Sequence, residues 1–166
     1  LYTSGSTGRP KGTLIGHDAY LNTILGAGEA LGLGPDDRTL AMASPSFDVS
    51  LSDFGLPLAF GAALCPVPYP VLSAPSRFRA FLTEMKISVA DITPTYLRLF
   101  DGADLPSLRA LVTGGEAPFA ADVRAYAGRL RYFNAYGPTE NAITSTMGIL
   151  SPDPAAVPTA GRPLPN

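Results

Sequence analysis

Short strand-like runs alternate with helix-like segments along the whole chain, and few architectures accommodate this pattern. Residues 111–113 and 130–136 are apolar runs of strand length, while residues 18–31 and 77–86 carry apolar side chains at helical spacing. Strands are predicted at residues 13–15, 39–43, 62–67, 88–92, 111–113, 130–136 and 142–149. Helices are predicted at residues 18–31, 49–60, 77–86 and 118–127 and from Pro94 onward. Residues 151–166 are predicted to form a Pro-rich loop. The alternation predicts an α/β fold with a mostly parallel sheet and helices on both faces, in which ligands bind at the carboxyl ends of the strands.

The composition excludes several classes of function. The chain has 166 residues, enough for a buried core, and 46% of them are apolar, as in a folded domain. Its net charge of −2 argues against a nucleic-acid or anionic-membrane surface, and no apolar run reaches the roughly 18–20 residues that span a bilayer. The single Cys65 excludes an intrachain disulfide and a zinc ribbon, and the single His17 excludes a multi-histidine metal centre. We therefore expect neither nucleic acid nor a membrane as a partner.

Residues 2–12 combine glycines, hydroxyl side chains and one lysine. Glycines let the backbone approach an anion closely, hydroxyls add hydrogen bonds, and Lys11 supplies a positive charge, which together suit a polyphosphate. The segment differs from the GxxxxGK[ST] phosphate loop because Lys11 follows a proline and precedes a glycine. A flexible Ser/Gly loop is the alternative for the string TSGSTG alone, and the Pro-Lys-Gly string that follows it favours phosphate binding.

Residues 134–140 follow an apolar strand and combine an aromatic ring, a hydroxyl and a carboxylate around a rigid Gly-Pro turn. In a nucleotide site, Tyr136 would stack on a base and Glu140 would hold Mg²⁺ beside a phosphate. The alternative is a tight turn in which Thr139 caps a short helix and Glu140 is solvated.

Three acidic side chains mark further candidate positions. Asp48 precedes the predicted helix 49–60, where it is either a substrate ligand or an N-cap. Residues 114–116, a Gly-Gly-Glu string, follow a predicted strand, and Asp91 lies in the last residues of another. The strand-end positions are where a parallel sheet presents its ligands.

In combination, these segments resemble the adenylation domains of nonribosomal peptide synthetases, within the larger family of adenylate-forming enzymes. Residues 2–12 resemble the family's phosphate loop, residues 134–140 its adenine and magnesium segment, and residues 47–50 the segment that marks amino-acid activation. Residues 114–116 and 161–163 follow in the expected order, so the resemblance covers essentially the whole chain. It implies the large N-terminal subdomain of such an enzyme. Residues 1–166 are expected to be a partial domain, truncated at both ends and without the C-terminal subdomain.

The resemblance implies a reaction in two halves. An amino-acid carboxylate attacks the α-phosphate of Mg·ATP, giving an aminoacyl-adenylate and pyrophosphate, and the acyl group then passes to the phosphopantetheine thiol of a carrier domain, expected in the same polypeptide. Asp48 would pair with the substrate's α-ammonium group. Thr139 and Glu140 would be catalytic, Thr139 at the α-phosphate and Glu140 as the Mg²⁺ ligand. The implied ATP-binding residues are Thr3, Ser4, Gly5, Ser6, Thr7, Gly8, Lys11, Gly115, Glu116, Asn134 at the adenine edge and Tyr136 stacked on the ring.

The resemblance also implies a pocket for the side chain of the amino acid. Besides Asp48, its implied lining is Val49, Ser52, Asp91, Val112, Gly114, Ala135, Ile143 and Thr144. Asp91 is a carboxylate in an otherwise apolar run, and a strand-end residue that reaches water is the alternative. In a pocket its charge needs a partner, and a cationic side chain, arginine rather than lysine or ornithine, would supply one. Thr144 stands where a second acid would strengthen this case, so a citrulline-like or other polar side chain stays open.

Three functions remain open at this point. The leading hypothesis is a cytoplasmic peptide-synthetase adenylation domain. The second is a stand-alone amino-acid or acyl ligase of the same superfamily, such as one that loads D-alanine on a carrier protein. The third is an inactive fragment that binds nucleotide weakly. An acyl-CoA ligase would leave Asp48 as an unused charge beside an apolar acyl group.

Overall fold

The computed structural model describes residues 1–3 and 8–165 and contains a short hairpin and a seven-stranded sheet. The hairpin pairs β1 (Tyr2–Thr3) with β2 (Lys11–Gly12). The sheet consists of β3 (Arg38–Ala41), β4 (Ala63–Pro66), β5 (Val89–Asp91), β6 (Ala110–Gly114), β7 (Arg131–Tyr136), β8 (Thr146–Ile149) and β9 (Arg162–Pro163). Its strand order is β4-β3-β5-β6-β7-β8-β9, in which β3 to β7 are parallel and β8 and β9 are each antiparallel to the preceding strand.

The helices lie on both faces of this sheet, which confirms the predicted layered arrangement. They are α1 (His17–Leu31), α2 (Val49–Phe60), α3 (Tyr69–Leu72), α4 (Pro75–Glu84), α5 (Pro94–Leu97) and α6 (Ala120–Tyr126). Core residues of α4, α5 and α6 pack on one face, and those of α1 and α2 pack on the other. Within the described ranges, no helix is long and apolar enough to cross a membrane.

Alternation along the strands decides which side chains face α2. Leu111 and Tyr132 point into the core beneath α4 to α6, whereas their chain neighbours Val112 and Phe133 point into the core beneath α1 and α2. Val89 points to the α2 side as well, and Asp91, two residues further along β5, shares its face. The pleat therefore directs the last residue of β5 toward α2.

The opposite, amino-terminal ends of the strands are held by an ion pair. Arg109 donates from Nε and Nη2 to the two carboxylate oxygens of Asp37, at 2.7 and 2.6 Å, and also to the carbonyls of Leu31 and Gly32 at the end of α1. The hydrogen bond from Arg109 is the main reason that the pKa of Asp37 falls to about 2. This link fixes α1 to the sheet at the end far from the carboxyl-terminal strand ends.

Three details differ from the sequence-based predictions. The prediction of a strand at residues 13–15 was wrong. The strand is Lys11–Gly12, and Leu14 is fully exposed. The last long strand begins at Thr146 instead of residue 142, because Ala142 and Ile143 have positive φ angles of 54° and 77°. Within the Pro-rich tail, two residues form β9 by pairing with β8.

Candidate active site

A pocket of about 400 Å³ lies at the carboxyl ends of β5, β6 and β7, beneath the start of α2. Parallel pairing places Asp91 beside Val112, and Gly114 beside Ala135, so these strand ends open on one face. The pocket is lined by Met42, Ala43, Phe47, Asp48, Val49, Asp53, Asp91, Thr93, Gly114, Gly115, Glu116, Ala135, Gly137, Ile143 and Thr144. The expectation that the site lies at the strand ends agrees with this geometry.

The structure brings the predicted substrate residues together around this pocket. Its lining includes Asp48, Val49, Asp91, Gly114, Ala135, Ile143 and Thr144. The other two, Ser52 and Val112, line an adjoining cavity of about 40 Å³, which shares Asp53, Asp91, Ala135 and Thr144 with the main pocket. Asp91 therefore lies at the pocket, and its role there stays a prediction.

Asp48 and Thr139, which are 91 residues apart in the sequence, are hydrogen-bonded. The hydroxyl of Thr139 donates to Oδ2 of Asp48 at 2.6 Å. Asp48 stands at the N-cap position of α2 with helical backbone angles, and its side chain accepts no capping hydrogen bond. The capping interpretation of Asp48 is therefore wrong, and its carboxylate points toward the segment that carries Thr139.

A second pocket, of about 550 Å³, lies beside the first and is lined by the loop after β6, the end of β7 and residues 158–160. It contains the predicted nucleotide residues Gly115, Glu116, Asn134 and Tyr136. Tyr136 is 62% exposed, so its side chain is accessible to a planar base. Asn134 is buried and its Nδ2 donates to the Thr159 carbonyl at 2.8 Å, which leaves Oδ1 as the group available at a ligand edge.

The two pockets meet along a shared wall. Gly115, Glu116, Ala135 and Gly137 line both of them. Glu116 accepts a hydrogen bond from Thr95 Oγ1 at 2.5 Å, a partner that the sequence pattern did not identify. The two pockets therefore adjoin at these four lining residues.

Gly137 allows the end of β7 to lie close to the backbone of residues 143–145. A Cβ atom there would lie 2.5 Å from the Ile143 carbonyl oxygen and 2.7 Å from the Ser145 nitrogen. Only glycine allows this approach, which brings Ile143 and Thr144 to the substrate pocket.

The predicted phosphate segment is described only in part. Thr3 pairs with Lys11 in the β1–β2 hairpin, and Gly8 has a positive φ of 77° that suits glycine. The predictions for Ser4, Gly5, Ser6 and Thr7 fall on residues outside the described ranges.

Glu140 follows Thr139 in a 3-10 turn, Thr139–Asn141, and is exposed. In the described part of the chain, no group of three or more His, Cys, Asp or Glu residues could hold a metal ion. A single carboxylate still fits Mg²⁺, which usually keeps several waters and takes its other ligands from the phosphates of a nucleotide.

The main pocket is acidic. Its lining carries the carboxyl groups of Asp48, Asp53, Asp91 and Glu116 and, among the residues described, no Lys, Arg or His. Burial, together with the nearby Asp53 charge, raises the pKa of Asp91 to about 7. Burial raises the pKa of Asp53 to about 6, although the backbone N–H groups of Ala43 and Met42 oppose the shift.

Asp53 is the charged residue of the pocket that the sequence patterns did not identify. It lies one turn after Val49 on α2, and residues four apart share a helix face. Its Oδ2 accepts hydrogen bonds from the backbone nitrogens of Met42 at 3.0 Å and Ala43 at 2.9 Å. Helical spacing from Val49 was the signal that could have identified it.

Comparison with known proteins places this site in a family. The model of the AMP-binding enzyme family matches residues 1–166, and the chain belongs to that family. It is 39% identical over 166 residues to a linear gramicidin synthase of Brevibacillus parabrevis, covering 100% of this chain and 2% of that protein. It is 36% identical to tyrocidine synthase 2 of the same organism, covering 100% of this chain and 5% of that protein. The chain thus spans only a small part of these relatives.

Solved structures of peptide-synthetase domains have the same fold as this chain. A four-domain nonribosomal peptide synthetase bound to AMP and glycine superposes with a TM-score of 0.87 at 26% identity, over 99% of this chain and 12% of that one. The N-terminal subdomain of Klebsiella oxytoca NpsA, in complex with 3-hydroxybenzoyl-AMSN, gives 0.84 at 28% identity, over 99% of this chain and 44% of that one. The resemblance to peptide-synthetase adenylation domains is therefore confirmed, and with it the N-terminal subdomain fold.

Proposed function

We propose that residues 1–166 form the middle of the large subdomain of an adenylation domain that activates an amino acid with ATP. The domain would continue at both ends, and the small C-terminal subdomain would lie outside this chain. This proposal rests on the resemblance of the motifs, on family membership and on the geometry of the two adjoining pockets.

The observation that carries the proposal is the hydrogen bond between Thr139 and Asp48. The residue proposed to hold the α-ammonium group and the residue proposed to hold the α-phosphate are in direct contact. In an α-amino acid, one carbon separates the ammonium group from the carboxylate. A substrate anchored on Asp48 therefore presents its carboxylate close to a phosphate held at Thr139.

The chemistry needs mainly positioning and charge stabilisation. A carboxylate oxygen of the amino acid attacks the α-phosphorus of ATP, a new P–O bond forms, and the bond to pyrophosphate breaks. Asp48 orients the nucleophile, Thr139 donates to the phosphate, and Tyr136 holds the base. Glu140 would hold Mg²⁺, which neutralises phosphate charge when bound.

The finer parts of the proposal follow from the resemblance. The aminoacyl group would pass to the phosphopantetheine thiol of a carrier domain in the same polypeptide, and the protein would act in the cytoplasm, where ATP is abundant. The gramicidin and tyrocidine synthases, of which this chain covers 2% and 5%, support a place in a long polypeptide over a stand-alone ligase. We propose a basic, arginine-like amino acid as substrate, because a carboxyl group of Asp91 lines the pocket.

Pyrophosphate exchange by the complete adenylation domain tests this function. Each amino acid is compared with its analogue that lacks the α-amino group, using kcat/KM for ATP–pyrophosphate exchange. The wild-type domain should prefer one amino acid over its deaminated analogue, and Asp48→Ala should reduce that preference roughly ten- to a hundredfold, as expected for a lost charge-assisted hydrogen bond.

Asp36→Ala is the matched control, since Asp36 is an exposed aspartate in a turn outside the two pockets. Its exchange kinetics should equal those of the wild type. No exchange with any amino acid, or equal use of the deaminated analogues by the wild type, would overturn the proposed function.

A further inference from the structure

Two carboxyl groups from different elements meet at the substrate pocket. Asp53 comes from α2 and Asp91 from the end of β5, and both line the main pocket and the small cavity that adjoins it. Asp53 is only 6% exposed. Two acids that line the same pocket repel each other when both are ionised, unless a cation or a shared proton offsets their charge.

The two acids differ in what holds them. Oδ2 of Asp53 accepts two backbone N–H groups, from Met42 and Ala43, so the protein fixes this carboxyl group in place. Asp91 forms no side-chain hydrogen bond with any residue that the structure describes. Its carboxyl group is therefore the free acceptor of the pair.

The protein itself supplies no cation to this pair from the residues that the structure describes. The other charged groups of the lining are Asp48, from the loop before α2, and Glu116, from the loop after β6, and both are acidic. The lining contributed by β7 and by residues 143–144 carries no ionisable side chain. An ionised carboxyl group in this half-buried position is unfavourable without a partner, and a cationic ligand is a partner that would stabilise the ionised form of Asp91.

We propose that Asp53 and Asp91 together recognise a guanidinium side chain on the amino acid, with Asp53 as a second specificity-determining residue. This inference rests on the proposed function and deepens it, because it assigns a role to a residue outside the set implied by the resemblance. Asp91 accepts hydrogen bonds from the guanidinium group. Asp53, whose carboxyl group is fixed by two backbone N–H groups, attracts the guanidinium charge electrostatically without contacting it. This attraction raises the preference for a cationic side chain over a neutral one of the same shape.

Arginine and citrulline provide a matched pair of substrates, since they have nearly the same shape and differ in charge. The test is to compare their kcat/KM values for pyrophosphate exchange in the complete domain and in its variants. The wild type should prefer arginine. Asp91→Asn should lower the arginine-to-citrulline ratio roughly a hundredfold, and Asp53→Asn roughly tenfold, because Asp53 acts through its field rather than by contact.

Asp53→Asn is chosen because its side-chain oxygen can still accept from Met42 and Ala43. Asp53→Glu is the second variant. This variant retains the negative charge, so its arginine-to-citrulline ratio should be higher than that of Asp53→Asn. The surface substitution Asp36→Asn should leave the ratio unchanged, since Asp36 lies outside the lining. A purely structural role of Asp53 would lower both substrates alike and leave the ratio at its wild-type value.

The outcomes separate this inference from the proposed function. Exchange with an apolar or a neutral polar amino acid in preference to arginine overturns the inference and leaves adenylation intact. An unchanged ratio in Asp53→Asn overturns the role of Asp53. Absence of exchange with every amino acid contradicts the proposed function itself, and the inference falls with it.

Discussion

At the scale of single residues, the role proposed for Asp91 predicts that substrate choice depends on pH. Its pKa is raised to about 7 by burial and by the neighbouring Asp53, so near neutral pH the carboxyl group is partly protonated. A cationic substrate needs the ionised form, whereas citrulline does not. The other ionisable groups that line the pocket are Asp48, Asp53 and Glu116, and among the residues described no base accompanies them.

We expect the arginine-to-citrulline ratio of kcat/KM to rise roughly tenfold between about pH 6 and pH 8, as Asp91 loses its proton. Measuring the ratio cancels pH effects that both substrates share. In Asp91→Asn the ratio should be low and flat across this range. A ratio that falls with rising pH in the wild type would contradict the assignment.

The same pKa has a consequence for stability. Because the folded-state pKa of Asp91 lies above its unfolded value of about 3.8, the unfolded chain loses this proton first, and the contribution of Asp91 to stability falls as pH rises from about 4 to 7. The pocket therefore keeps a destabilising acid, which agrees with a functional role for it.

The same residues show what the sequence could and could not predict. Asp48 and Thr139 were identified because each lies in a recognisable string, but their contact joins positions 91 residues apart and needs the fold. Asp53 was missed although it lies on the same helix face as Val49. Asp53 lies outside the motif strings, and its helical spacing from Val49 is the pattern that indicates it.

At the scale of elements, local patterns predicted α1, α2 and β7 well, because the residue types that favour a helix or a strand are a property of each segment by itself. The exceptions depend on partners distant in the chain. β9 has two residues and exists because it pairs with β8, and residues 13–15 have strand-like side chains but are not in a strand. Strand pairing decided these cases, and composition does not encode it.

Gly137 provides a test of how elements form the pocket. We expect Gly137→Ala to lower kcat/KM for exchange at least tenfold, because its Cβ would displace the backbone at residues 143–145 and move Ile143 and Thr144. The control is Gly34→Ala, where an added Cβ meets nothing within 4 Å. Equal activity of the two variants would show that this close approach does not shape the pocket.

At the scale of the whole molecule, the chain contains the two adjoining pockets, yet it spans 44% of the solved N-terminal subdomain of NpsA and 12% of the four-domain synthetase. In the proposed complete domain, further groups that act on the nucleotide would come from the parts that lie outside residues 1–166. A site formed by several parts has little activity when the groups that stabilise the transition state are missing.

We therefore expect residues 1–166 alone to catalyse no amino-acid-dependent pyrophosphate exchange above background, under conditions in which the complete domain is active. Both proteins would be assayed at equal concentration with arginine and with a mixture of the other amino acids, and circular dichroism would establish that the shorter chain is folded. If it is folded and inactive, the missing parts supply essential chemistry rather than stability alone. Substantial exchange by the folded 166-residue chain would show instead that its own residues suffice for adenylate formation.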